Sequence, residues 1–547
     1  MKFVKYLPIL LLSLAVACQG GKVPQPVENA APELISTNPA DGASGITDAS
    51  LSIVFTFDQN IKCTLAAQKG VSVDGGAAVD KVFAYGTNLT VSISGLSRGM
   101  SYTVSLPAGT VQGYKENQKS SAAIQFRFSM KEPDPEPVTP TPPSPGSNAA
   151  WEIAETLGMG WNMGNHFDGY YNGSWAGDKE GYPGEVVWQP GETDAEKAQH
   201  KATQATFDGV KSLGFKSVRI PVSWLKMIGA APDYKIDEEW MNRVYEVVGY
   251  AHNAGLNVII NTHHDENHGV NNTYQWLDIK NAANDATLNE TIKEKIKAVW
   301  TQIAKKFNDC GDWLYMEGFN ELNDGGWGWS AEFKANPTKQ CDILNEWNQV
   351  FVDAVRATGG NNATRWLGVP TYAANPEYIT YFKMPNDAAG KLMLSVHFYD
   401  PSDYTIGEAQ YSEWGHTGAS GKKANGGDED HVQEVFGKLY SGFVEKGIPC
   451  YIGEYGCSMR KKSETRAWAF YKYYMEYVVK AAKTYGLPCF LWDNGATGDG
   501  QEMHGYIHHG KGTCIGNAKE IIDVIKKAWF TTSAGYTLDS VYANAPK

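Results

Sequence analysis

The chain lacks any second long uncharged apolar run. The one it has lies at the extreme N-terminus, which excludes a multi-pass membrane architecture. It also lacks an excess of basic residues. With 48 Lys and Arg against 61 Asp and Glu, the net charge is −13. Nothing in that balance forms an electrostatic footprint for DNA or RNA, so no nucleic-acid partner is expected. No CxxC pair marks a zinc site, no HExxH marks a metalloprotease helix, and no GxGxxG follows the first strand of the main body. No cofactor or metal is therefore expected. What is present is a chain of 547 residues, 42% hydrophobic and 20% charged, which excludes a disordered or collagen-like protein. That length exceeds the roughly 100–200 residues of one domain, so two or more units are expected. The 17 Trp, 29 Tyr and 20 Phe offer flat apolar faces and point to a binding cleft.

Residues 1–18 read as an address. Lys2 and Lys5 precede an apolar core, 6–17, that closes on Ala15-Val16-Ala17 before Cys18. This resembles a bacterial lipoprotein signal, in which Cys18 is acylated and anchors the mature chain to a membrane. An exported lipoprotein at the outer membrane, with the cell surface as one orientation, is the expected location. The seven other cysteines are an odd number, and buried free thiols are the default, although an exported protein leaves room for a disulfide such as Cys310–Cys341.

Residues 31–130 show period-two alternation. Leu51, Ile53, Phe55 and Phe57 alternate with polar or small residues, as do Leu89, Val91 and Ile93, then Ile124, Phe126 and Phe128. Several such runs between Gly/Asn/Asp turns predict an antiparallel sandwich. The opening STNPADGASGI resembles bacterial Ig-like domains, and the domain reads as a spacer. Residues 132–149 follow, with seven prolines, and predict an extended polyproline II arm spanning on the order of 50 Å.

From 150 to 547 apolar runs of strand length recur at 159–162, 217–222, 257–262, 313–320, 366–370, 392–399, 449–454 and 488–492. Amphipathic stretches lie between most of them. This alternation suits an α/β fold, either a (β/α)8 TIM barrel or a doubly wound sheet. The polar residues decide between them. Arg219, His263-His264, Asn320-Glu321, His397 with Tyr399, Glu454 and Trp492-Asp493-Asn494 fall in, or at the C-terminal ends of, successive runs. In a barrel those ends converge on one mouth.

Glu321 and Glu454 then face each other from the fourth and seventh strands. Glycoside hydrolysis needs such a pair, one carboxyl protonated to donate to the leaving oxygen and one ionised to attack the anomeric carbon. Neighbouring carboxylates resist ionising together, so one pKa is expected to rise and the other to fall, with cationic Arg219 holding the nucleophile ionised.

GFNELND and YIGEYG, with VRIPVSW, NTHHDE, SVHFY and FLWDNG, resemble glycoside hydrolase family 5, the retaining cellulase family. GWNMGNHFD is similar to its fourth subfamily of endo-β-1,4-glucanases, xyloglucanases and mixed-linkage glucanases. The resemblance implies that Glu321 is the acid/base, Glu454 the nucleophile, and Asn320 the ligand of the 2-hydroxyl. It implies that Tyr399 bonds the nucleophile, Arg219 sets its charge, and His397 contacts the acid/base. His263 and His264 would bind sugar hydroxyls, Trp492 would underlie the reacting sugar, and Asn165 and Asp168 would bind more distant glycone sugars. His166 departs from the small or hydroxyl residues common there. Trp224, Trp276, Trp327 and Trp329 are candidate stacking platforms, and loop 168–192 a candidate cleft wall.

The implied partner is a β-1,4-glucan-type polysaccharide, cellulose-type, mixed-linkage or xyloglucan, cut by a monomer. Two other classes compete: a metal-dependent barrel hydrolase, because HHDENH and HGYIHHG are rich in ligand types, and a non-catalytic glycan-binding lipoprotein.

Overall fold

The computed structural model describes residues 30–115, 118–131, 140–144, 146–268, 272–407, 411–424, 426–498 and 500–547. The lipoprotein signal with Cys18, and much of the proline-rich arm, lie outside them. Two compact units divide near residue 135.

The first unit is a sandwich. One four-stranded sheet runs Leu34–Asn38, Ser50–Phe57, Asn88–Ser94, Ala78–Tyr85. The other runs Ala43–Ile46, Ile124–Met130, Ser101–Leu106, Ser72–Val73. The alternating Ile53, Phe55, Phe57, Leu89, Val91, Ile93, Phe126 and Phe128 all point into one core. Phe55 meets Phe126 edge-on at 5.7 Å between ring centres. One pairing departs from the antiparallel expectation: Ala43–Ile46 lies parallel to Ile124–Met130.

The second unit is a closed barrel of eight parallel strands. They are β1 (Met159–Asn162), β2 (Ser217–Ile220), β3 (Asn257–Asn261), β4 (Leu314–Glu317), β5 (Leu367–Pro370), β6 (Leu392–Phe398), β7 (Cys450–Tyr455) and β8 (Cys489–Leu491). β8 closes onto β1 through Trp161 opposite Leu491. This is the TIM barrel expected, and every named run holds a strand. β4 is shorter than its run: it stops at Glu317, so Asn320 and Glu321 lie on the segment beyond it.

The strands are buried on both faces, as parallel strands between a core and a helical shell must be. The helices supply that shell. Glu238–Asn253 starts where Asp237 accepts the Trp240 N–H, and buries Trp240, Val244, Val247, Val248 and Ala251 along one stripe. Helix Ala149–Leu157, capped by Asn148, contributes Ile153 and Leu157 to a plug with Ile259, Tyr315, Met393, Tyr451 and Phe490.

That plug fills the lower barrel and leaves the upper end for polar side chains. Between β6 and β7 the register slips at Val396/His397, so that His397 pairs with Glu454 and Phe398 with Tyr455. Such an irregularity re-aims side chains, here those of two mouth residues. Among the described residues no helix is long and apolar enough to cross a membrane.

Candidate active site

The upper barrel is organised around Arg219 on β2. It is fully buried. Its Nε and Nη2 donate to the two oxygens of Glu317 on β4 at 2.9 and 2.8 Å. Nη1 donates to Glu454 Oε1 at 2.8 Å and to Asn162 Oδ1 at 3.0 Å, and Nη2 to Asn320 Oδ1 at 2.7 Å. A planar guanidinium has five N–H donors in fixed directions, and all five are used.

Glu454 also accepts from the Tyr399 hydroxyl at 3.1 Å. His397 Nδ1 lies 2.7 Å from Glu321 Oε1 and 3.6 Å from Glu454 Oε2. One oxygen of Glu321, one of Glu454 and a His397 ring nitrogen all lie within 4.8 Å of one another. His397 fits because residue 453 is glycine: a Cβ there would come 3.0 Å from its Nε2.

Burial pushes the Glu321 carboxyl up to about 8, with Glu266 adding to the rise and Arg219 and His264 opposing it. Burial raises Glu454 as well, against Arg219. The expectation that one pKa rises and the other falls is therefore corrected, because desolvation outweighs the cation at both carboxyls. The contrast between them lies in their partners. Glu454 receives hydrogen bonds from Arg219 and Tyr399, which favour its charge, and Glu321 receives neither. Burial drives His397 down to about 4, so it stands beside Glu321 as a neutral imidazole.

Residues 178–498 match the model of the cellulase family, glycosyl hydrolase family 5. The chain belongs to this family. Residues 28–130 match a bacterial Ig-like domain. Endoglucanase A of Paenibacillus barcinonensis is 34% identical over 375 residues, 66% of this chain and 85% of that protein. A Bacteroidetes-affiliated GH5 cellulase linked with a polysaccharide utilization locus superposes with a TM-score of 0.67 at 38% identity, over 73% of this chain and 98% of that one. A GH5-4 broad-specificity endoglucanase from Bacteroides salanitronis gives 0.64 at 48% identity, over 71% and 97%.

For a family 5 chain the remaining predicted residues divide sharply. His263 lies at the mouth, its Nε2 3.9 Å from Glu454 Oε1 and its ring parallel to Trp492 at 5.9 Å. Trp492 follows β8 directly and lies against Gly164, where a Cβ would approach the indole to 2.7 Å. His264 Nδ1 is 3.2 Å from Glu266 Oε1 and its Nε2 3.9 Å from Asp168 Oδ2. Burial opposes charging of His264, but Glu266, Asp168 and Glu321 together raise it to about 9, so it is cationic at neutral pH.

Asp168 is a loop cap. It is fully buried, and its two oxygens accept the backbone N–H groups of Asn165 and His166 at 2.9 and 2.7 Å. That turn holds Asn165 at φ +54° and half-buried beside the cleft. His166 points away from the mouth, to Glu185 at 3.2 Å and His509 at 3.4 Å, with Arg243 clamping Glu185 bidentately. Its departure from the subfamily pattern is thus taken up by loop packing.

Of the four candidate platforms, Trp224 and Trp276 are buried, their indole N–H groups bonded to the Asn261 carbonyl and to Asp265. They are core residues. Trp327 and Trp329 are 46% and 74% exposed and remain available to a ligand. Loop 168–192 packs Trp188 5.3 Å from the His264 ring and leaves Trp175 and Tyr182 exposed.

Sequence reasoning missed Glu317, Asn162, Tyr451 and Glu266. The signal for Glu317 was an ionisable residue inside an apolar strand run, which demands a buried partner.

Two groupings bring three ligand-type atoms together: Glu321, His397 and Glu454, and Asp168, His263 and His264. In the first, Glu454 is occupied by Arg219 and Tyr399. In the second, both Asp168 oxygens already hold backbone N–H groups. Neither offers the unencumbered donor set that a resident metal needs. The seven described cysteines are free thiols, Cys310 and Cys341 included. A half-open pocket of about 420 Å³ lies at the opposite barrel end, among Ile153, Trp313, Tyr315 and Trp366. It holds no carboxylate pair, so the chemistry belongs to the open mouth.

Proposed function

We propose that this chain is a retaining endo-β-1,4-glucanase that cuts β-glucan polysaccharides by double displacement. The observation that carries the reading is the approach of Glu321 and Glu454 oxygens to within 4.8 Å. Retaining glycosidases hold their carboxyl groups about 5–5.5 Å apart, whereas inverting ones leave roughly 6.5–9.5 Å for a water.

In the first step a Glu454 oxygen bonds to the anomeric carbon. Glu321 gives its proton to the departing glycosidic oxygen, and a glycosyl ester forms. In the second step Glu321, now a carboxylate, takes a proton from water as the water oxygen displaces Glu454. The high pKa of Glu321 suits the first role. Asn320, held by Arg219, is oriented for the 2-hydroxyl, Trp492 underlies the reacting ring, and His263 and cationic His264 meet sugar hydroxyls. Asn165 stands near the glycone side, with Asp168 shaping its loop.

A panel of cellulose derivatives, mixed-linkage glucan, xyloglucan, xylan and glucomannan, with product sizing, tests the reading. Internal cleavage of at least one β-1,4-glucan is expected, and binding without new reducing ends would leave a glycan-binding protein instead. Glu321→Ala and Glu454→Ala should each lose about 10²–10⁴-fold in turnover. With azide, the two variants should yield opposite anomers of glycosyl azide.

A second element of the proposal is anchoring. Cys18 after a short apolar core supports an outer-membrane lipoprotein. Activity that stays in the membrane fraction after Cys18→Ala would refute it. The chain is proposed to act as a monomer, since both carboxyls come from one barrel; light scattering of the purified protein checks this.

A further inference from the structure

Glu317 is a fully buried charge in the barrel that the two-step reaction does not use. It lies at the end of β4. Its oxygens take two N–H groups of Arg219, the Tyr451 hydroxyl at 2.8 Å and Asn261 Nδ2 at 3.4 Å. It makes no hydrogen bond to Glu321, though its charge adds to the rise of that carboxyl, and its burial keeps it from substrate. Arg219 therefore lies between two carboxylates, Glu317 bidentate and Glu454 monodentate.

This arrangement has a consequence over the reaction cycle. While Glu454 is a carboxylate, Arg219 has two anionic partners. Once Glu454 has bonded to the anomeric carbon, it is a neutral ester, and the aglycone has left with the proton of Glu321. The negative charge that sat on Glu454 now sits on Glu321, which has no hydrogen bond to Arg219. Without Glu317 the glycosyl-enzyme would hold a wholly buried guanidinium with no directly bonded counter-ion, a costly state in a desolvated interior. With Glu317 the cation stays neutralised in both halves of the cycle.

Resting on the retaining reading above, we propose that Glu317 is a positioning residue: the permanent counter-ion of Arg219, which keeps that cation compensated while Glu454 alternates between carboxylate and glycosyl ester. Glu317 thereby sets how the barrier is shared between glycosylation and deglycosylation.

The two steps should respond to its loss with opposite signs. In Glu317→Gln, Arg219 leans wholly on Glu454. The Glu454 carboxylate becomes a poorer nucleophile, and forming the ester strands the cation, so glycosylation slows. Deglycosylation regenerates the carboxylate beside that cation, so it speeds up.

The experiment is stopped-flow hydrolysis of an aryl β-cellobioside with a good leaving group, for which the wild type is expected to show a burst of phenol. In Glu317→Gln, kcat/KM should fall on the order of 10²-fold. The burst should vanish while kcat falls far less. Glu317→Asp, which keeps the charge at a shorter reach, should restore the burst in part, and it provides the comparison should the Gln variant not fold. Equal slowing of both steps, with the burst amplitude of wild type retained in both variants, would overturn the proposal. A wild type that does not turn over the glycoside at all would instead refute the glucanase reading.

Discussion

Replacing Glu321, the proposed acid/base, with its neutral isostere should stabilise the barrel while abolishing its activity, and the gain should grow with pH. Burial raises the Glu321 carboxyl from 4.5 to about 8. A carboxyl raised in the folded state binds its proton more tightly there than in the unfolded chain. Between those two pKa values the native state carries the extra proton, so stability falls as pH rises through that window. Each unit of difference is worth about 1.4 kcal/mol. Near pH 4 both states are largely protonated and the penalty is close to zero. At pH 7 it reaches about 3 kcal/mol, and near pH 8 about 4 kcal/mol. Glu321→Gln removes the ionisation and keeps the shape. Its lost or altered hydrogen bond to His397 is a constant offset, so the diagnostic quantity is the slope. The assay is denaturant unfolding of both proteins, followed by tryptophan fluorescence, at several pH values from 4 to 8. The difference in unfolding free energy should move by about 3–4 kcal/mol in favour of the variant across that range. Two curves that run parallel would refute the claim that burial, rather than hydrogen bonding, dominates this group.

Three further outcomes follow from the same geometry. The alkaline limb of kcat/KM should fall near pH 8, where Glu321 loses the proton it must donate, and a limb far from that value would point to another acid. Gly164→Ala should drive a Cβ against the Trp492 indole and lower kcat/KM by about tenfold or more, through a displaced sugar platform; unchanged kinetics would show the indole free to yield. Trp327→Ala and Trp329→Ala should raise KM on polysaccharide, whereas substitution of the buried Trp224 should lower the melting temperature instead; steady-state kinetics and calorimetry separate the two classes.

Strand periodicity and the polar residues at strand ends were legible because both are local. Ile53, Phe55 and Phe57 alternate since a strand has two faces, and the eight apolar runs are long enough for one strand each. Arg219, His397, Tyr399, Glu454 and Trp492 could be assigned to the mouth because parallel strands in a barrel all end on one side. Where this reasoning failed, the deciding fact was which groups meet across the chain. Asp168 carries the right chemistry for a sugar ligand, yet two backbone N–H groups within three residues claim both its oxygens. Trp224 and Trp276 sit in loops after strands, where exposed platforms are plausible, but Asn261 and Asp265 supply acceptors that make their burial cheap. Trp327 and Trp329 have the same loop context and, among the described residues, no such acceptor, and they stay exposed.

Glu317 is the instructive case. Four residues before Glu321, it reads as one more acidic residue in a conspicuous motif. Its meaning depends on Arg219 lying 98 positions earlier, and on Glu454 lying 137 positions later, at the same cation. A charge in a strand interior announces that a partner exists without saying which. The partner found here joins a structural ion pair to Glu454, the proposed nucleophile, through one guanidinium. The barrel therefore cannot alter the fit of that buried pair without also altering the charge that Glu454 feels.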